Sequence, residues 1–105
     1  MRDWATEALR NGSLATLRGG LIDELRHYAG YKDFRDVLIS LAPYHDCARR
    51  LGADAAVLFA EAAAVVPKDV GELAIEFGQR NDVTLAAFGW SVIKTPEGPA
   101  YRFAW

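Results

Sequence analysis

Apolar residues recur at helical spacing through most of the chain and change to strict alternation only near its C-terminal end. In residues 13–30, Leu14, Leu17, Leu21, Leu25 and Tyr28 form one stripe, with Ser13 placed to cap the start and Gly30 to end it. Gly19 and Gly20 lie off that stripe. The pattern therefore predicts a continuous helix that each glycine weakens by about 1 kcal/mol, with a tolerated surface defect as the preferred reading of the pair and close approach of another backbone as the alternative.

Residues 33–52 open on the cap Asp33 and end at Gly52, and Phe34, Val37, Leu38, Leu41, His45 and Ala48 keep one phase on both sides of Pro43. A phase that survives a proline predicts a kinked or restarted helix and not a long loop. Residues 54–66 place Ala55, Leu58, Phe59, Ala62, Val65 and Val66 on one side, and most of the remaining positions are alanine or valine. A central core helix closed by Pro67 is the preferred reading, and a partner-binding or self-association face, the latter giving a homodimer, is the alternative. In residues 68–82, Val70, Leu73, Ala74 and Phe77 oppose Asp69, Glu72, Glu76 and Arg80, an amphipathic helix with an acidic outer stripe.

Two shorter helices are expected, one over residues 3–12 between Asp3 and Gly12, and one over residues 82–89 capped by Asp82. The ending differs. Val92 and Ile93 precede the turn signal TPEGP, and Tyr101, Phe103 and Trp105 alternate after it, which predicts a β-hairpin. Such a hairpin is marginal by itself in water, so its aromatic face should pack on the helices. The expected fold is mainly α: a compact bundle of four to six helices with a C-terminal β-hairpin packed on it. It forms one domain over residues 1–105, with helices in 1–89 and the hairpin in 90–105.

Composition agrees with this reading. The chain has 105 residues, 51% of them hydrophobic, enough for one core and too few for two ordinary domains. Its single cysteine cannot form an internal disulfide, which points to packing as the source of stability and to a reducing, cytoplasmic setting. The N-terminal stretch mixes charges with apolar residues, unlike a signal peptide. The longest apolar stretch, AAVLFAEAAAVV, is interrupted by Glu61 and falls short of the roughly 20 residues a membrane span needs.

Candidate chemistry concentrates at His45, Asp46 and Cys47. On a helix these neighbours point in three directions: His45 lies within the apolar stripe, while Asp46 and Cys47 turn away from it and from each other. A Cys–His nucleophile pair is therefore not expected. With His27, His45 and Cys47 as the available N and S ligands and no metal-binding spacing, no metal site and no cofactor are expected either. His45 is expected to be a packed core histidine, or, if functional, pH-sensitive. Cys47 is expected to be a partly buried filler, and Arg49 and Arg50 a solvated helix end.

Three classes of function follow. An enzyme has little support, since no phosphate-loop, dinucleotide or nucleophile-elbow motif is present. A winged helix-turn-helix regulator fits the rhythm of CARRLGADAAVLFAEAA followed by a hairpin, but residues 54–66 offer Asp54 and Glu61 as their charged groups, a poor surface for nucleic acid. The half from residue 53 onward carries four basic and seven acidic side chains, against eight and seven before it. The remaining class, a non-catalytic protein-interaction module, is the expected function. Asp69, Glu72 and Glu76 would face a partner protein with a basic patch, in the manner of small bacterial immunity proteins, antitoxins or adaptors, an analogy of size and charge.

Overall fold

A computed structural model describes residues 9, 11–96 and 98–103, and of residues 98 and 99 the backbone alone. Four helices, α1 (Leu14–His27), α2 (Phe34–Arg50), α3 (Ala55–Ala63) and α4 (Lys68–Gly78), are followed by a 3-10 turn, Ala86–Phe88, and an antiparallel hairpin of β1 (Trp90–Thr95) and β2 (Gly98–Phe103). The expected helix over residues 3–12 lies largely outside the described residues, as does Trp105 of the terminal alternation.

The caps act where their chemistry allows. The Ser13 hydroxyl accepts from Thr16 N, and the Asp33 and Asp54 carboxylates accept from Arg35 N and Ala56 N, each satisfying an N–H that the first helical turn leaves without a partner. Gly52, at φ +75°, ends α2 in a conformation costly for other residues, and Ala53 N then donates back to the Ala48 carbonyl at 2.9 Å. Leu17, Leu21 and Leu25 of α1, Val37 and Leu41 of α2, Leu58 and Phe59 of α3, and Val70, Ala74 and Phe77 of α4 form one buried cluster with Val83 and Trp90.

Pro43 interrupts neither the phase nor the helix: α2 runs continuously through it. A proline lacks the N–H that would bond four residues back, so the Ile39 carbonyl loses its helical donor. The indole N–H of Trp90 donates to that carbonyl at 2.8 Å. The residue after the proline, Tyr44, donates its hydroxyl to the Gly20 carbonyl at 3.0 Å, which ties α2 to α1 at the glycine pair through which α1 runs unbroken. A Cβ at Gly19 would meet nothing within 4 Å, in keeping with a tolerated surface position.

Small residues let α3 and α4 approach closely. A Cβ at Gly78 would lie 2.6 Å from Phe59 Cβ and 3.1 Å from the Ala55 carbonyl oxygen, so glycine is required by space at that position. The hairpin docks through its first residue and through β2. Trp90 is paired with Phe103 in the ladder, their rings 5.2 Å apart edge to face, and the Tyr101 hydroxyl donates to Asp46 Oδ2 at 2.8 Å.

Three expectations need correction. The helix over residues 54–66 ends at Ala63, and Val65, assigned to its buried side, is 51% exposed. The short helix over residues 82–89 is a single 3-10 turn, because Asp82 engages Arg80 and the Val83 carbonyl accepts from Arg49. Cys47, expected to be partly buried, is fully buried: β2 covers the side of α2 that the helical wheel assigned to solvent.

Candidate functional site

Asp69, Glu72 and Glu76 share the exposed side of α4, but two of them have partners within the chain. Asp69 Oδ2 accepts from Gly30 N at 3.0 Å, and that bond, with a second from Val70 N, holds the carboxyl below its ordinary range. The contact pins the α1–α2 turn to the start of α4. Glu72 faces Lys68 at 3.7 Å, an exposed i, i+4 pair of small energetic weight.

Next to the pinned turn lies a cleft of about 480 Å³ lined by Tyr28, Tyr31, Asp36, Trp90 and Phe103, together with Ile39 and Ser40. The end of α1 supplies Tyr28, the turn Tyr31, the first turn of α2 Asp36, and the two strands Trp90 and Phe103. Tyr28 and Tyr31 meet edge to face at 4.8 Å, and the His27 ring meets Tyr28 edge to face at 5.0 Å. The bond to the Ile39 carbonyl fixes the indole of Trp90. Burial raises the Tyr28 hydroxyl above its ordinary pKa, so it stays neutral at physiological pH. Tyr31 and Phe34 are each 45% exposed, and Asp36 has no ion-pair partner among the described residues. Aromatic faces attract a cation, and a carboxylate at their edge strengthens the preference.

Periodicity did not reveal this cleft. Tyr28 entered the sequence reading as a stripe member, and Tyr31 and Asp36 belong to no repeat. The usable signal was the density of aromatic residues in HYAGY and at both ends of the hairpin, which requires knowing that the two segments meet.

The HDC stretch forms two separate environments. Asp46 accepts from Arg50 Nε at 2.6 Å and from the Tyr101 hydroxyl, with Arg49 at 3.4 Å, so it joins α2 to the hairpin. Arg49 and Arg50 are thus half-exposed yet engaged. Burial, reinforced by Asp46, pushes the Cys47 thiol up to about 12, the reverse of an activated nucleophile.

His45 is 2% exposed and packed between the rings of Phe59, at 5.8 Å, and Phe77, at 5.5 Å. Neither ring nitrogen has a hydrogen-bond partner of good geometry among the described residues. Burial and then the Arg49 charge lower its pKa below the ordinary value, while the backbone of Arg80 favours the charged form. Among the described residues, no group of three or more His, Cys, Asp or Glu side chains is arranged to hold a metal ion, His27, His45 and Cys47 included.

For the helix-turn-helix alternative, the exposed positions of α3 are Val57, Ala60 and Glu61, none of which is a donor to a base edge. Among the described residues no helix is long and apolar enough to cross a membrane. Comparison of the chain with models of protein families, with curated proteins and with solved structures finds no match.

Proposed function

We propose that this chain is a non-catalytic protein-interaction module whose aromatic cleft receives an arginine or lysine side chain from a basic partner. The observation that carries the reading is the convergence of Tyr28, Tyr31, Trp90 and Phe103 around one cavity with Asp36 on its wall. Tyrosine and tryptophan dominate binding energy at interfaces because they bury much area at little entropic cost, and a cation over their faces gains further. The exposed carboxylates of α4, beginning at Asp69 beside the same turn, supply long-range attraction for a basic surface and act chiefly on the association rate. The small analogue is an immunity-like or adaptor protein, which works by occupying a partner and performs no chemistry.

The test is capture from the native lysate by the tagged chain, after nuclease treatment, in parallel with Asp36→Lys and Tyr31→Ala. Both positions are exposed, so both variants should fold. A stoichiometric protein retained by the native chain and lost by both variants supports the reading. Capture unaffected by either variant, or of nucleic acid alone, contradicts it.

A further inference from the structure

A second cavity, of about 260 Å³, lies between α2, the start of α3 and the end of α4, and shares no residue with the aromatic cleft. His45 lines it, and neither ring nitrogen makes a hydrogen bond of good geometry among the described residues, although the backbone of Arg80 and of His45 itself lies beside the ring. Buried polar groups are normally hydrogen-bonded, so a 98% buried imidazole on a cavity wall without a well-formed hydrogen bond keeps capacity for a partner from outside the chain. The same cavity meets the N-terminus of α3 at Ala55 and Ala56. Asp54 occupies the Ala56 N–H, and the rest of the first turn keeps N–H groups with no intrahelical acceptor, aligned with the positive end of the helix dipole. Arg49 and Arg80 also line the cavity, as does Asp54, whose carboxylate is engaged by Ala56 N, while Asp46 and Asp82, the carboxylates paired with the two arginines, do not.

We infer that this cavity binds the anionic oxygen group of a small molecule, a carboxylate or a phosphate, through His45, Arg49 and the first turn of α3. The volume corresponds to about nine waters at ~30 Å³ each, room for phosphate or a small carboxylic acid. A neutral imidazole can donate one N–H to the anion, and the imidazolium adds a positive charge and a second N–H directed elsewhere. The charged groups around the ring are Arg49 and Asp46 on its own helix, Asp54 at the start of α3, and Arg80 and Asp82 beyond α4. Arg49 opposes protonation in the empty cavity. An anion between the two side chains removes that opposition, so anion binding and protonation of His45 strengthen each other.

The experiment is an NMR titration of the full chain at pH 6 and constant ionic strength, with sodium phosphate and sodium acetate in separate arms and sodium chloride as control. Saturable shifts of the Ala55 and Ala56 amides and of the His45 ring are expected, with a rise in the His45 titration midpoint. Saturation by phosphate alone, or by acetate alone, identifies which group the site prefers, and saturation by both supports the shared chemistry. Arg49→Gln should weaken binding at least tenfold. Shifts that fail to saturate, or that chloride reproduces, overturn the inference from the native chain by itself, and undiminished binding by a folded Arg49→Gln variant does so as well.

Discussion

Trp90 reaches across to α2 and donates its indole N–H to the carbonyl of Ile39, the acceptor that Pro43 leaves without a helical donor. A proline that would otherwise weaken its helix thereby becomes the attachment point of the hairpin. The expected outcome is non-additivity. Trp90→Phe should destabilise the native chain by about 1–3 kcal/mol, the cost of a buried unpaired carbonyl. In a Pro43→Ala background the new N–H serves the carbonyl, and the same change should cost less. Urea unfolding of the four proteins of this cycle measures the coupling, since the loss of indole area is common to both backgrounds.

Gly78 makes a separate prediction. Because an added Cβ would stand 2.6 Å from Phe59 Cβ, Gly78→Ala must push α4 from α3, with an expected loss of about 1–3 kcal/mol in spite of alanine's better helix propensity. Gly19→Ala, into open space, should be neutral or stabilising by up to about 1 kcal/mol, as propensity dictates. Thermal or chemical unfolding of the two variants distinguishes packing from propensity.

These positions mark what the sequence could and could not tell. Helical period, caps and the terminal alternation were legible because each depends on residues within a few positions of one another: Ser13 and Asp33 cap where they were expected to, and His45 lies in the core. The bond between Trp90 and Ile39 was not legible, since it joins residues 51 positions apart. Cys47 was assigned a partly solvated direction because the wheel knows nothing of the β2 strand that later covers it. The acidic stripe was visible as a pattern, but its first member, Asp69, is bonded to a turn 39 residues earlier. The aromatic cleft was missed for the same reason: Tyr31 and Trp90 acquire a common role only through the tertiary fold.

His45 makes stability depend on pH. Its pKa in the folded chain lies below the unfolded value near 6.5, so the unfolded state binds the proton more readily. The stabilisation is complete above about pH 6.5 and is lost as the pH falls below that value toward the folded pKa. Unfolding free energies at pH 7.5 and 5.5 should therefore differ, with the lower pH less stable, and His45→Gln should flatten the difference. A pH-independent native chain over this interval would contradict the burial of a neutral imidazole.

Cys47 should be inert while the chain is folded. With its thiol fully buried and its pKa near 12, alkylation by iodoacetamide at pH 8 should proceed only through unfolding and follow the unfolded population. Labelling at the rate of an exposed thiol would show that β2 leaves α2 readily.

The aromatic cleft is tested most directly by titrating the isotope-labelled chain with a short arginine-containing peptide, and with the same peptide carrying citrulline, which keeps the shape and removes the charge. The account predicts saturable shifts at the Trp90 indole N–H and at the amides of Tyr31 and Asp36 with the arginine peptide, at least tenfold weaker binding with citrulline, and a similar loss in Asp36→Asn. Equal and non-saturating responses to the two peptides would contradict a cation-binding cleft.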